Sequence, residues 1–252
     1  MYLVLVVIFA LLWGSFLTVI KNRTRSAGSI LFGRSQCPHC HHRLGAFDLI
    51  PILNFILLLG RCRYCHKKIS PTYPIIEIFS LFIALIIFYK VGVSARGAVL
   101  FLSFSLLLLA SVQDVEEKEV EIWYFVAGII MALTFAFWGN LTKSTALNTL
   151  YAILTAGISP FLIYLVSREK WMGLGDSFFA LWIGIIVGFP VSVFSVFLAY
   201  FIGALFGIIL LATRKGGLKT QVPFGPYLAI SGLIAFVIGE NVVDWYLKLV
   251  GL

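Results

Sequence analysis

The chain has 252 residues, 61% of them hydrophobic and only 12% charged, with a net charge of +8. A soluble domain carries roughly 45–50% apolar and about 25% charged residues, so this composition excludes one. Basic loops facing an anionic membrane surface account for the charge, and those loops leave no room for a known nucleic-acid-binding fold, so no nucleic-acid partner is expected.

The apolar runs are continuous and helix-length, without the alternation of a membrane β-barrel. Helices satisfy their own backbone hydrogen bonds in lipid. The expectation is an all-α integral membrane protein of about eight spans, with the lipid bilayer as its surroundings. The first span, 2–20, resembles a secretory signal, but it lacks a basic leading segment and basic residues follow it, so it reads as a retained anchor.

The segment 21–73 follows, with all four cysteines in "CPHC" (37–40) and "CRYC" (62–65). Two C-x-x-C pairs separated by 21 residues match a four-thiolate zinc pattern built from Cys37, Cys40, Cys62 and Cys65. A pair of disulfides is the alternative; a reducing cytoplasm favours metal. Four thiolates close a tetrahedron and leave no open position for water, so such a zinc is structural. His39, His41, His42 and His66 stand close by, either as solvated loop residues or as a replacement ligand. Between the pairs, the apolar stretch 46–60 is too short to span and is expected on or dipping into the membrane surface.

Spans are expected next at 74–90 and 97–113, and then comes "QDVEEKEVEI" (113–122), an acidic cluster that begins with Asp114 at the end of an apolar run. Further spans are expected at 121–138 and 145–166, then, after "MGLGDSF" (172–178), at 176–189, 191–213 and 224–247. The span at 176–189 is short for a full crossing. No internal repeat or low-complexity linker stands out. The domain organisation is a first transmembrane helix (1–20), a four-cysteine loop (21–73) and a polytopic membrane domain (74–252).

Placing 21–73 in the cytoplasm puts 15 of the 19 basic residues inside, Lys118, Arg168, Lys170, Arg214, Lys215 and Lys219 among them, and leaves only Lys90, Arg96, Lys143 and Lys248 outside. This satisfies the positive-inside rule, with both termini outside.

Ionisable groups at the edges of membrane spans are costly and are functional candidates by default. The topology brings Asp114 and Asp176 to the same face. Two such carboxylates sharing a water hold one proton between them, because like charges about 3 Å apart do not both ionise cheaply. Taken singly, Asp114 also fits a helix-end charge and Asp176 an N-cap. Gly173 and Gly175 allow close approach of a backbone or a substrate strand. Glu116, Glu117, Glu119 and Glu121 form an acidic face, either simply solvated or meeting a basic partner.

Several stretches together resemble the prepilin peptidases, the type IV leader peptidases among the GxGD aspartyl proteases. They are "WGSFLTVI" (13–20), the cysteine loop running into "ISPTYPIIE" (69–77), "QDVEEKEVE" (113–121), "GLGD" (173–176) and "VPFGPYL" (222–228). The resemblance covers nearly the whole chain in family order. It implies that Asp114 and Asp176 are the catalytic aspartates and that the four cysteines bind zinc; beside them Gly173, Gly175, Glu116 and Glu117 are expected from their own chemistry to position the substrate. It further implies a bacterial inner-membrane enzyme that cuts the short basic leader from type IV prepilins or pseudopilins at the cytoplasmic face. Many members then N-methylate the new terminus with S-adenosylmethionine. The family often has Pro-Asp six and seven residues after the first aspartate and a lysine two after the second; here Val120, Glu121 and Phe178 stand there.

Three rival readings exist. A transporter with a zinc-stapled loop gives no reason for acids confined to one face. A preflagellin or signal-peptide peptidase generally lacks the cysteine loop. An inactive scaffold is at odds with an intact aspartate pair.

Overall fold

A computed structural model describes residues 2–25, 35–139, 141–213 and 222–251. The basic stretches holding Arg34 and Arg214, Lys215 and Lys219 lie outside the described residues. The described elements are helical, and two compact units, Met1–Tyr89 and Lys90–Leu252, divide the chain.

The first unit holds α1 (Tyr2–Arg25), a 3-10 turn (Ala46–Leu49), α2 (Leu53–Leu57) and nearly all of α3 (Thr72–Val91). Small residues let α1 and α3 touch backbone to backbone, as in other lipid-embedded helix pairs. A Cβ on Gly14 would lie 2.7 Å from Glu77 Cα, and Ser80 Oγ donates to the Ala10 carbonyl at 3.0 Å. The stretch between the cysteine pairs is short and broken, with Leu57 70% and Leu59 86% exposed. It is tied to α3 where the Ile52 N–H donates to Glu77 Oε2 at 2.7 Å.

The second unit holds α4 (Ala95–Glu117), α5 (Ile122–Ala136), α6 (Lys143–Ser167), α7 (Leu174–Val187), α8 (Val191–Ala212) and α9 (Gly225–Val250). Six of the described helices, α1, α3, α4, α6, α8 and α9, are long and apolar enough to cross a membrane, while α5 and α7 are shorter. Helix α7 packs against α5, α6, α8 and α9. It is apolar all round, as an enclosed helix must be. Its 14 residues reach only about 21 Å, less than the ~30 Å hydrocarbon layer. Wrapped by other helices, it does not have to match the bilayer, which explains the short run in the sequence. The span expected at 121–138 is likewise only 15 residues, because Phe137 caps α5 and the chain turns at Gly139.

Close packing around α7 depends on missing side chains. A Cβ on Gly128 of α5 would overlap the Trp182 ring, and one on Gly184 would lie 2.7 Å from Ala156 Cβ. Trp182 Nε1 donates to Ser103 Oγ at 2.8 Å, and Ser103 Oγ donates to the Gly128 carbonyl at 3.3 Å. Each buried polar atom in this bridge is satisfied, so it fixes register without a desolvation penalty.

Candidate active site

Asp114 lies inside a helix rather than in the loop after one. Gln113 Nε2 donates to Glu117 Oε2 at 2.8 Å, one turn on, and α4 runs to Glu117 before Lys118 adopts a left-handed conformation and donates its N–H to the Asp114 carbonyl. The Asp114 carboxylate is half-buried, and its Oδ2 accepts the Gly225 N–H at 2.9 Å. Gly225 is the first residue of α9, so this N–H is one of the donors that a helix start leaves unpaired. A Cβ there would meet Asp114 Oδ2 at 2.8 Å and the Phe179 ring at 2.7 Å. The span expected at 224–247 begins here, but sequence reading does not single out Gly225; its only signal is a glycine between two prolines.

Asp176 stands in the first turn of α7, two residues after its first helical residue, so it is not the N-cap. Gly173 holds that position, and its N–H donates to Asp176 Oδ2 at 3.0 Å. Gly173 is exposed and Gly175 half-buried. Each aspartate is therefore pinned through Oδ2 to the start of a helix, Asp176 to α7 and Asp114 to α9. The start of a helix favours anionic charge. Phe179, one turn from Asp176, touches the same glycine that pins Asp114, and the two carboxylates lie within electrostatic reach of each other. Two anchored carboxylates within electrostatic reach of each other are equipped for proton exchange with a water between them.

The four glutamates after Asp114 do not form one uniform face. Glu116 and Glu119 are exposed. Glu117 accepts from Gln113, while Glu121 accepts the Trp123 indole N–H at 2.5 Å. The latter two fasten the α4–α5 turn.

The cysteine pairs of the first unit form two matching knuckles. Cys37 N–H donates to His42 O at 3.0 Å and Cys62 N–H to Lys67 O at 2.9 Å, while His41 and His66 N–H return to Cys37 O and Cys62 O at 2.9 Å. Gln36 pairs with Arg43, and Arg61 with Lys68. This is a short internal repeat that the sequence reading passes over, visible as "CPHCHHRL" (37–44) and "CRYCHKKI" (62–69). The four sulfurs lie within 4.8 Å of one another, with Cys37 and Cys65 Sγ 3.9 Å apart. Sulfurs ligating one ion at about 2.3 Å in a tetrahedron stand roughly 3.8 Å apart, so the cluster fits a tetrahedral metal.

Burial raises the Cys37 thiol, but hydrogen bonds from the backbone at Cys40 and His39 and from neighbouring thiols outweigh it and hold it at about 7. A backbone hydrogen bond at Lys67 lowers Cys65, yet burial and the thiols of Cys62, Cys40 and Cys37 push it up to about 11. Four thiols this close do not all ionise without a cation among them. The histidines are not in the four-sulfur cluster; His42 packs its ring on Tyr64 at 3.7 Å, one knuckle against the other. Asp48, not singled out by sequence, braces this centre: Arg63 Nε lies 3.1 Å from its Oδ1, and the Tyr64 hydroxyl donates to its Oδ2 at 3.0 Å. Also in this unit is a cavity of about 1350 Å³, lined among others by Ser15, Asn22, Asp48, Asn54, Tyr73 and Glu77.

Two family models match the chain. Residues 8–91 match the bacterial Peptidase A24 N-terminal domain, and residues 100–208 match the type IV leader peptidase family. The chain is similar to proteins named prepilin leader peptidase/N-methyltransferase. The Pseudomonas putida protein is 29% identical, over 99% of this chain and 95% of its own length. The Bacillus subtilis protein is 29% identical over 96% of both chains. The Pseudomonas aeruginosa protein is 25% identical over 97% of this chain and 93% of its own. No solved structure matches. One model takes in the four cysteines and the other both anchored aspartates, and the relatives align along almost the entire length: the chain belongs to the type IV leader peptidase family.

Proposed function

We propose that the protein is an aspartyl endopeptidase of the bacterial inner membrane that removes the basic leader from type IV prepilins or pseudopilins, with its active site facing the cytoplasm. The observation that carries this reading is the pair of carboxylates, each pinned by a helix-start N–H and close enough to sense the other. In the reaction, the ionised aspartate takes a proton from water as the water oxygen bonds to the scissile carbonyl carbon. The protonated aspartate gives its proton to the leaving nitrogen as the C–N bond breaks. Gly173 and Gly175 keep the approach to Asp176 free of side chains. The test is incubation of the purified protein in detergent with a prepilin: a product shortened by its leader supports the reading, and transport activity without cleavage overturns it.

Zinc is the metal this centre would hold, and its role is structural, fastening the two knuckles of the 21–73 loop. Elemental analysis of protein purified under reducing conditions should find about one zinc per chain, lost in Cys62→Ser. Metal-free protein with oxidised thiols would contradict this.

The names of the relatives support N-methylation of the new terminus. The cavity in the first unit is large enough for S-adenosylmethionine and offers carboxylate, amide and hydroxyl groups at Glu77, Asp48, Asn22, Asn54 and Tyr73 to hold it. When bound, that cofactor supplies the methyl group.

The exposed glutamates supply local attraction for a cationic leader, since the overall charge of +8 repels it. Changing the exposed Glu116 and Glu119 to Gln should raise KM several-fold and leave kcat nearly intact. Each exposed pair contributes only about 0.2–1 kcal/mol. The defect should shrink at high salt, where the screening length falls to a few ångströms. An unchanged KM at low salt would mean that the leader is read elsewhere.

A further inference from the structure

Glu77 of α3 is only 7% exposed, and the hydrolysis does not use it. It stands in the second turn of a membrane helix, where an unneutralised charge is costly and marks a functional site. Its place is imposed from two sides. Gly14 of α1 presses on its backbone, since a Cβ there would lie 2.7 Å from Glu77 Cα. Glu77 Oε2 accepts the Ile52 N–H at 2.7 Å, and Ser15 supplies a second hydrogen bond. Ile52 makes its contact with a φ of +61°, a conformation that a β-branched residue disfavours. Both partners are neutral. Among the described residues no lysine or arginine pairs with Glu77; Arg63, which lines the same cavity, pairs with Asp48 instead. A carboxylate has room for about four hydrogen bonds, so two neutral donors leave both accepting capacity and charge uncompensated. Glu77 lines the cavity of about 1350 Å³ in this unit. Tyr73, one turn earlier on the same face of α3, lines it too, and its hydroxyl accepts from Asn22 Nδ2 at 2.9 Å.

We propose that Glu77 anchors a primary ammonium group in this cavity. Other cations fit less well. A divalent metal ion gathers several ligands, and the four cysteines are the only cluster of three or more candidate ligand side chains among the described residues. A guanidinium is best met by two carboxylate oxygens in a planar fork, and Ile52 already engages one of these. A compact ammonium needs only one oxygen of the carboxylate, and its other hydrogens can turn to further acceptors. Lys67 and Lys68 also line the cavity, but they are exposed and screened by solvent, so contact with the buried carboxylate decides. The proposal deepens the methylation reading and rests on it. In that reading two molecules bring an α-ammonium group: the cleaved substrate at its new amino terminus, and S-adenosylmethionine at its methionine end.

The test is equilibrium binding to the full-length, zinc-loaded protein in detergent, with and without Glu77→Gln. Glutamine keeps an oxygen for the Ile52 N–H, so the tether survives and only the charge goes. One pair of probes is a peptide that starts at the cleavage site of the prepilin used for the cleavage assay, with its amino end free or acetylated. The other is S-adenosylhomocysteine and its analogue with hydrogen in place of the amino group. In the unaltered protein at least one free amine should bind about 10-fold or more tightly than its neutral counterpart, the scale of a hydrogen bond to a charged group. Glu77→Gln should erase that preference and leave the neutral counterpart within about twofold. The pair that responds identifies which ammonium the site holds. The proposal is overturned if the preference survives the substitution, or if the unaltered protein has none. It is also overturned if both members of a pair weaken together, which would make Glu77 a support of the cavity wall alone. If S-adenosylhomocysteine binds and neither pair responds to Glu77→Gln, only this assignment fails. If no probe binds and no label is incorporated from methyl-labelled S-adenosylmethionine, the methylation reading fails and this proposal with it.

Discussion

Asp114→Asn and Asp176→Asn should each reduce kcat for leader release by at least about 10³-fold, the scale of a lost general acid or base. Neither substitution should unfold the protein. Asn keeps an oxygen that can accept the Gly225 or the Gly173 N–H, so the anchors at 2.9 and 3.0 Å are preserved. What disappears is the proton shared between two carboxylates, which no amide replaces. Because the pair works as a unit, the double variant should be little worse than either single one. Near wild-type turnover by either variant, measured with an intact prepilin, would remove that aspartate from the mechanism.

Gly225→Ala should have the next largest effect. The added methyl group would meet the Phe179 ring at 2.7 Å and Asp114 Oδ2 at 2.8 Å, with the rest of α9 behind it. Something has to shift, and the N–H that orients Asp114 moves with it. A displacement of about 1 Å at a reacting group costs on the order of 10²-fold in rate. We expect kcat to fall by that factor with KM little changed, because Gly225 touches the carboxylate rather than the leader. Unchanged kcat in the alanine variant would show that the α9 entry does not orient Asp114.

These two sites differ in how plainly the sequence displays them. Asp114 and Asp176 are legible because carboxylates at the ends of apolar runs stand out against a cost that lipid imposes on any charge. The membrane class and the number of helices are legible for the same reason, since run length maps onto bilayer thickness. Gly225 is not legible, because its role is a contact with a residue 111 positions away. The four glutamates look alike in sequence and separate only when Gln113 and Trp123 claim two of them. The repeat in the cysteine knuckles was open to inspection, with C-x-x-C-H followed by basic and aliphatic residues at both places. Attention to the cysteines alone hides it. The shortness of α7 is visible in the sequence, but its cause, enclosure by α5, α6, α8 and α9, is a property of the packed bundle.

The central claim is that the aspartates, not the metal, perform the hydrolysis. The most direct test is one side-by-side measurement of the initial rate of leader release by zinc-loaded Asp176→Asn and by zinc-stripped protein of unaltered sequence. The account predicts that the stripped protein still cuts, at a rate lowered by its loosened loop, while the loaded variant does not. Release by the loaded variant together with an inert stripped protein would contradict it.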